Sequence, residues 1–239
     1  MSNGHRVSPG KKERVRHMFN DIAPRYDFLN HFLSMGIDIR WRRRVVNLAQ
    51  ERKPAGILDV ATGTADLAIA LAACHPERIC GLDISDKMLA IGREKIRKKS
   101  LDQLISLQTG DSESLPFDSN TFDLATAAFG VRNFENLQQG IREMYRVLKP
   151  GGQIIILEFS RVRNPLLRAL YHAYFRIILP LIGRLVSKHA SAYHYLPSSV
   201  ETFPHDQAFL AILTETGFEN TCQQRLTGGI ASIYSGDKK

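Results

Sequence analysis

Cysteine is scarce in this chain, which has three in 239 residues: Cys74, Cys80 and Cys222. They are too few and too scattered for a disulfide framework, and their spacing is not that of a metal site. The chain is therefore expected to fold without disulfides or a bound metal, in a reducing cytoplasmic compartment. With 44% hydrophobic residues, it is long enough to bury a sizeable core unaided.

Long uninterrupted hydrophobic runs are also missing. The first residues are polar and basic, so no signal peptide is expected. Residues 166–186 are strongly apolar, but three arginines and a proline interrupt them, which disfavours a membrane-spanning helix. We interpret residues 161–204 instead as an amphipathic helical insert.

Acidic residues are outnumbered, since 32 Lys and Arg face 24 Asp and Glu and give a net charge of +8. The excess lies at the ends: residues 1–53 carry 12 basic and 5 acidic side chains, residues 161–239 carry 9 and 5, and residues 54–160 carry 11 and 14. A basic surface is typical of proteins that bind nucleic acid or an anionic membrane, but it is also common on a face that only contacts solvent. The flanks show no RNA-binding signature, so no nucleic-acid partner is expected.

Short apolar segments alternate with helical ones after a helical region, residues 11–49, in which breaks are predicted at Pro24 and near Gly36. The predicted strands are residues 57–61, 78–83, 104–109, 121–128 and 153–159, and the helices between them are residues 67–73, 85–99 and 137–148. This alternation predicts right-handed βαβ units and a parallel sheet with helices on both faces. A helix at residues 206–216 and a hairpin of residues 220–226 and 230–235 complete the prediction.

The sequence therefore predicts an α/β, doubly wound, Rossmann-like fold with a mostly parallel seven-stranded sheet and a terminal antiparallel hairpin. We expect a single domain with four parts. These are an N-terminal helical lid at residues 1–53, a ligand-binding core at residues 54–160, the helical insert at residues 161–204, and a helix and hairpin at residues 205–239 that complete the core.

Acidic and small residues follow three of the predicted strands, where open sheets of this kind bind ligands. Asp59 leads into a turn in which Gly63 lets the backbone approach a ligand closely. Asp83 ends the second strand, where a carboxylate accepts hydrogen bonds from both hydroxyls of a ribose. Asp111 and Ser112 follow the third strand, within reach of an adenine edge. The alternative is a structural role, in which such aspartates only cap helices.

A dinucleotide site is the rival interpretation of the same turn. Gly63, Ala65 and Ala68 occupy the positions of a G-x-G-x-x-G fingerprint, so two of its three glycines are missing. Without a dense nest of backbone amides, pyrophosphate binding is less favoured. A ligand with a methionine-like chain needs no such nest, which favours S-adenosylmethionine.

Three sequence blocks carry a family resemblance: residues 26–30 (YDFLN), residues 129–133 (FGVRN) and residues 146–160 (RVLKPGGQIIILEFS). In this order and at these spacings they resemble the ubiquinone/menaquinone biosynthesis C-methyltransferases, over roughly residues 11–235. The resemblance implies a class I methyltransferase fold and transfer of a methyl group from S-adenosylmethionine to a ring carbon of a polyprenylated quinol.

The resemblance also implies the site residues. Its cofactor contacts fall on Thr64, Asp83, Asp111 and Ser112, with Asp59 and Gly63 shaping the turn. We also expect a substrate pocket at Tyr26, Asp27, Asn30 and Asn133, with the first three as candidates for its lid. The alternative role of those three is to cap and close the N-terminal helices. His172, His189 and His194 are weaker candidates for a base.

Arg132 is the candidate catalytic residue. We expect it to stabilise the quinolate or to organise the water that takes the proton, because an arginine pKa above about 12 prevents it from being the base. The alternative is a structural ion pair with a carboxylate.

The substrate stays open between two quinols. Ala128 and the turn at residues 62–66 look more like the menaquinone-type members, which favours demethylmenaquinol. A benzoquinol precursor of ubiquinone, another small molecule, an RNA and a catalytically silent adenosine-binding module are the alternatives.

The insert predicts peripheral contact with the inner face of an anionic membrane. Arg168, His172 and Arg176 share one helix face, and each basic residue near an anionic leaflet contributes about 1 kcal/mol. That leaves Leu167, Leu170, Tyr171, Tyr174 and Phe175 to meet lipid or the prenyl tail, or, in the alternative, to pack on the core. A homodimer is a further option.

Overall fold

Strands and helices alternate along the chain in the computed structural model, which describes residues 10–162 and 190–239. The strands are β1 (Gly56–Val60), β2 (Arg78–Asp83), β3 (Ile105–Thr109), β4 (Phe122–Ala128), β5 (Leu148–Phe159), β6 (Phe218–Leu226) and β7 (Ala231–Lys238). The helices are α1 (Lys11–Leu33), α2 (Ile37–Gln50), α3 (Asp66–Leu71), α4 (Asp86–Lys98), α5 (Leu137–Val147), α6 (Ala190–Thr202) and α7 (Gln207–Thr216). Most of the predicted insert lies outside the described residues.

The seven strands form one sheet in the order β3-β2-β1-β4-β5-β7-β6. The first five are parallel, whereas β7 runs antiparallel to both β5 and β6. The predicted parallel sheet with a terminal hairpin is therefore confirmed. Every side chain from Ile154 to Leu157 is fully buried, as a strand covered on both faces requires.

Two hydrophobic cores lie on opposite faces of this sheet. Leu58 and Ile156 belong to the core that includes Ile141 of α5 and Phe209 of α7. The adjacent strand residues Ile57 and Ile155 point to the opposite face of the sheet. There they belong to a second core, which includes Val45 of α2 and Leu71 of α3. This alternation of side chains is what makes the sheet doubly wound.

Helix α1 is continuous through Pro24, so the predicted break at that residue is wrong. Tertiary contacts hold the helix on both sides of the proline. Before it, Asn20 Oδ1 accepts a hydrogen bond from Ser85 Oγ at 2.7 Å, and after it Asp27 Oδ1 accepts one from Thr64 Oγ1 at 2.5 Å. The break near Gly36 is confirmed, because this glycine has a φ of 74° and immediately precedes the first residue of α2.

Strand β5 starts five residues before its predicted start and includes the Lys-Pro-Gly-Gly turn. Gly151 adopts a φ of 78° there, and the pairing with β4 shifts register at this place. Among the described residues, no helix is both long enough and apolar enough to span a bilayer.

Candidate active site

A cleft of about 670 Å³, partly continuous with solvent, lies at the carboxyl ends of the parallel strands. It brings together six residues predicted from the sequence: Tyr26, Gly63, Asp83, Asp111, Ser112 and Asn133. Side chains of α1 that no sequence motif indicated close its outer wall: Lys12, Val15 and Phe19. Five further candidates do not line this space: Asp27, Asn30, Asp59, Thr64 and Arg132.

The turn after β1 is built from backbone conformations that favour glycine. Ala61, Gly63 and Ala65 have φ values of 54°, 57° and 65°, which costs an alanine roughly 1–2 kcal/mol. A Cβ on Gly63 would meet no atom within 4 Å, so its backbone faces the open cleft. The turn is held to β2 by the Thr62 N–H, which donates to the Leu82 carbonyl at 3.0 Å.

Asp83 is fixed at the cleft floor by two backbone groups. Its Oδ2 accepts from the Gly63 N–H and its Oδ1 from the Ser85 N–H, both at 2.8 Å. Burial raises the pKa of this carboxyl to about 6, against the lowering effect of these hydrogen bonds. Each carboxylate oxygen keeps a further lone pair, so Asp83 has the capacity to accept two more hydrogen bonds.

Asp59 lies behind the turn rather than on the cleft wall. Its two oxygens accept from Thr62 Oγ1 at 2.6 Å and from Thr126 Oγ1 at 2.8 Å. Burial raises the pKa of Asp59 to about 6, and the threonine hydroxyls oppose that shift. These contacts fit the turn-shaping role that the family resemblance implies for it.

Lys12 of α1 closes the far end of the cleft. Its Nζ lies 2.6 Å from Asp111 Oδ2 and 3.6 Å from Glu113 Oε2. The hydrogen bond with Asp111 raises the pKa of Lys12, so the amine stays charged. Since Asp111 Oδ1 also accepts from the Glu113 N–H at 2.9 Å, this carboxylate is oriented before any ligand binds.

Thr64 and Asp27, predicted separately for cofactor and substrate, contact each other. Lys95 of α4 joins them, with its Nζ 3.0 Å from Asp27 Oδ2 and 3.2 Å from Thr64 Oγ1. The same amine pairs with Asp66 at the start of α3. This polar cluster anchors α1 over the core, and sequence reasoning missed Lys95 because it lies 68 positions from Asp27.

Tyr26 and Asn30 lie on the part of α1 that faces the interior. Burial raises the pKa of the Tyr26 phenol, whereas its hydrogen bond with Asn30 and the charges of Arg132 and Arg42 oppose the shift. Arg42 in turn pairs with buried Asp38. Tyr26 is therefore a neutral phenol at the cleft wall at neutral pH.

Arg132 forms a buried ion pair with Glu158. Its Nη1 lies 2.7 Å from Glu158 Oε1 and donates to the Phe129 carbonyl, while the guanidinium carbon lies 5.3 Å from the Phe159 ring centroid. The two charged side chains are 7% and 0% exposed. This is the carboxylate pairing that was the structural alternative, and the catalytic role of Arg132 stays a prediction.

Most of the histidines that are candidate bases lie outside the described residues. His172 and His189 fall outside the described residues, as do the insert side chains Arg168 and Arg176, and nothing of the His194 side chain is described. Within the described ranges, no group of histidine, cysteine and acidic side chains is arranged to hold a metal ion.

Comparison with known proteins assigns the class that the fold and cleft define. The chain belongs to the ubiE/COQ5 methyltransferase family, whose model matches residues 8–238. The protein is thus a methyltransferase, and the carboxyl edge of its sheet is the candidate active site.

Two relatives and one solved structure illustrate the match. The chain is 48% identical over 230 residues to a ubiquinone/menaquinone biosynthesis C-methyltransferase UbiE of Geotalea daltonii, covering 95% of this chain and 97% of the relative. It is 45% identical over 231 residues to a demethylmenaquinone methyltransferase of Bacteroides fragilis, covering 95% and 94%. The solved structure is from Thermotoga maritima and is described as a SAM-dependent methyltransferase and possible histamine N-methyltransferase. It superposes with a TM-score of 0.59 at 17% sequence identity, over 94% of this chain and 100% of that one. This similarity shows that the two proteins share a fold.

Proposed function

We propose that this enzyme transfers a methyl group from S-adenosylmethionine to a ring carbon of a polyprenylated quinol, with demethylmenaquinol as the substrate and menaquinol as the product. Relatives that are 45–48% identical over 95% of the chain are named for quinone biosynthesis. The observation that carries the proposal is the cleft at the carboxyl edge, with the buried carboxylate of Asp83 on its floor.

The residues of the cleft fit S-adenosylmethionine. Asp83 has acceptor capacity for two ribose hydroxyls, and the open space above Gly63 is a cradle that any side chain would fill. Asp111 and Ser112 also line the cleft, and they would hold the adenine edge.

When bound, S-adenosylmethionine supplies a sulfonium methyl group that bonds to the ring carbon while sulfur keeps the electron pair of the broken bond and the ring proton passes to solvent. The chain positions the reactants, because a near-attack geometry lowers a barrier by roughly 7–11 kcal/mol. Glu158 holds the Arg132 guanidinium beside the cleft turn, where its positive charge favours an ionised substrate hydroxyl. Helix α1 lines the cleft with Phe19 and Tyr26, and these aromatic rings reduce the contact of a bound substrate with water.

Ala128 supports the naphthoquinol over the benzoquinol. It lines the cleft, and its small side chain leaves space for a second fused ring. A benzoquinol precursor of ubiquinone is the second candidate, favoured by the name of the Geotalea daltonii relative, which includes both quinones.

Incubation with methyl-labelled S-adenosylmethionine tests the proposal. We expect demethylmenaquinol to become one methyl group heavier by mass spectrometry, with the label retained on the ring. A matched reaction contains the benzoquinol precursor at the same concentration. Separately, light scattering measures whether the active enzyme is a homodimer. Label found in benzoquinol alone, or in neither quinol, contradicts the proposal.

Peripheral membrane contact follows from a substrate whose prenyl tail stays in a bilayer. Among the described residues, the exposed large hydrophobic side chains are Phe28, Met35 and Ile39, which are 58%, 76% and 48% exposed. All three lie at the corner between α1 and α2, next to exposed Arg40 and Arg43. Apolar side chains beside arginines fit an anionic lipid surface.

Co-sedimentation with anionic vesicles measures this contact. We expect the protein to pellet with them at low ionic strength and to be released by salt, because the attraction is screened. The variant Arg40→Gln/Arg43→Gln is expected to lose about thirtyfold in vesicle affinity, since each basic residue contributes about 1 kcal/mol. Lys98→Gln/Lys99→Gln, at exposed positions where α4 ends, removes the same charge elsewhere and is expected to bind normally. Failure of the native protein to pellet at low ionic strength contradicts the proposal.

A further inference from the structure

Phe129 has a backbone conformation that is rare for a residue with a large side chain. It directly follows β4, and its φ of 58° lies in the left-handed region, where a bulky residue is an outlier. Its N–H donates to the Leu157 carbonyl at 2.7 Å, and its own carbonyl accepts from Nη1 of Arg132 and, at 3.5 Å, from Nδ2 of Asn133. Strained residues that their surroundings hold in place cluster at functional sites, so this conformation calls for a functional explanation.

Phe129, Phe159 and Trp41 form an aromatic cluster beside the cleft. The ring centroids of Phe129 and Phe159 lie 4.6 Å apart at an interplanar angle of 35°, and the Trp41 ring lies 5.9 Å from the first and 6.3 Å from the second. The Trp41 Nε1–H donates to Thr227 Oγ1 at 2.9 Å, and the Arg132 guanidinium carbon lies 5.3 Å from the Phe159 centroid. These contacts hold the three rings in place before any ligand binds.

Phe129 joins this aromatic cluster to the cleft. It lines the cleft, whereas Trp41 and Phe159 are not among the lining residues. All three rings pack within the core of α2 and α3, so the 9% of Phe129 that stays exposed belongs to the cleft wall. An aromatic residue backed by two further rings is a surface on which a flat aromatic guest stacks.

The order of the strands places Phe129 at the end of the cleft away from the adenosine site. Asp111 follows β3, Asp83 ends β2 and Phe129 follows β4, in a sheet whose order from that edge is β3-β2-β1-β4. A cofactor with its adenine at Asp111 and its ribose at Asp83 therefore extends its sulfonium centre toward β1 and β4. The ring that receives the methyl group lies next to the sulfonium carbon, on the β4 side.

We propose that Phe129 is the surface on which the quinol ring stacks, and that this contact favours a two-ring quinol over a one-ring quinol. The inference rests on the proposed function and assigns to Phe129 a part in substrate specificity. Stacked aromatic rings lie with their centroids about 4.5–7 Å apart, so the substrate ring continues the aromatic cluster by one member. A naphthoquinol gains more from this contact than a benzoquinol, because its second ring adds contacting atoms and buried apolar surface.

Trp41 supplies a readout without turnover, because it is the only tryptophan in the sequence. A ring stacked on Phe129 lies within about 13 Å of Trp41, where a quinone quenches indole fluorescence. The probe is dimethylnaphthoquinone, with methyl groups at the two positions where menaquinone carries its methyl group and its tail, so that no ring position is free to react with a thiol. With S-adenosylhomocysteine present, we expect saturable quenching of Trp41, whereas N-acetyltryptophanamide corrects for light absorbed by the probe.

Phe129→Leu removes the ring, keeps an apolar side chain and tests the inference. We expect the midpoint of the quenching titration to rise roughly twofold to tenfold. Stacking acts equally on bound substrate and transition state, so KM for demethylmenaquinol should rise by a similar factor while kcat stays near the native value. With tetramethylbenzoquinone as a one-ring probe, the midpoint should rise less. Calorimetric affinity for S-adenosylhomocysteine is expected to stay at the native value.

Phe122→Leu is the matched control, because it makes the same change at the opposite end of β4. The Phe122 ring is 1% exposed and packs edge-on against Phe117, with the ring centroids 5.0 Å apart. We expect this variant to lower the Tm through lost core packing and to leave the quenching midpoint and KM at native values. Quenching in the native protein needs no substitution, so it tests the inference even when Phe129→Leu folds poorly.

The outcomes separate this inference from the proposed function. Absence of methylation of any quinol by the native enzyme overturns the function before a variant is compared. Methylation by the native enzyme without saturable quenching of Trp41 overturns the inference alone, because the ring then binds away from the aromatic cluster. An unchanged midpoint in Phe129→Leu, an equal rise in Phe122→Leu, or an equal rise with the one-ring probe also overturns it.

Discussion

Asp83→Ala is expected to weaken binding of S-adenosylhomocysteine by at least about a hundredfold. A hydrogen bond to a charged group contributes about 1.5–3 kcal/mol, and the loss of two such bonds to ribose hydroxyls exceeds one hundredfold in affinity. The variant also leaves the N–H groups of Gly63 and Ser85 without their acceptor, so unfolding by urea should show a loss of about 1–3 kcal/mol. Titration calorimetry measures the affinity.

The raised pKa of Asp83 also leads to a prediction of how the affinity for S-adenosylhomocysteine depends on pH. Because its pKa is raised to about 6, the carboxylate takes up a proton as the pH falls from 7.5 to 5, and affinity should fall with it. The sign is opposite for stability of the ligand-free protein. A carboxyl group with a pKa above its unfolded value contributes stability that is complete below the unfolded pKa and is lost as pH rises through about 6. Asp83→Asn should remove the pH dependence of affinity and reduce the pH dependence of stability, of which the part due to Asp59, whose pKa is also raised to about 6, remains.

Asp123→Ala is the control for these measurements. Asp123 also accepts a backbone hydrogen bond, from the Gly56 N–H at 2.7 Å, but it lies at the opposite end of the strands. We expect it to lose stability and to keep native affinity for the ligand. Equal affinity in Asp83→Ala and the native protein would contradict the assignment of the cleft floor.

Glu158→Ala is expected to destabilise the protein by about 3–5 kcal/mol. The change leaves the Arg132 guanidinium buried with no counter-charge, and both side chains are less than a tenth exposed. It also removes the acceptor of the Phe159 N–H at 2.9 Å. Urea unfolding at neutral pH measures the loss, and Glu158→Gln, which keeps the shape, should lose less.

An exposed ion pair provides the comparison. Arg97 and Glu94 lie 2.9 Å apart, but their side chains are 66% and 56% exposed. Glu94→Ala should therefore change the free energy of unfolding by less than about 1 kcal/mol. A similar small effect in Glu158→Ala would show that the Arg132 pair is not desolvated as the structure has it.

Arg132→Lys separates folding from chemistry at the same pair. A lysine ammonium preserves the charge opposite Glu158 but lacks the planar, forked set of donors that a guanidinium has. We expect turnover to fall by about tenfold to a hundredfold with stability changed less than in Glu158→Ala. Unimpaired turnover in Arg132→Lys would remove the catalytic role.

The core strands were predictable because their signals are local. The apolar run at Ile154–Ile156 and the polar residues at the carboxyl ends of the other strands are each formed by residues adjacent in the sequence. The predicted strand at residues 78–83, for example, matches β2 in both bounds. Pro24 misled the prediction for a physical reason. Contacts of Asn20 with Ser85 and of Asp27 with Thr64 stabilise a helix that its own sequence disfavours.

The amino-acid order alone determined the doubly wound sheet, its terminal hairpin and the acidic residues at the strand ends, because side-chain periodicity and turn chemistry act over a few residues. Only the tertiary structure decided that Lys12 meets Asp111, that Lys95 joins Asp27 to Thr64, and that Arg132 pairs with Glu158. Such pairs join residues 26 to 99 positions apart, and no local pattern specifies which distant charge a folded chain will bring within hydrogen-bonding distance.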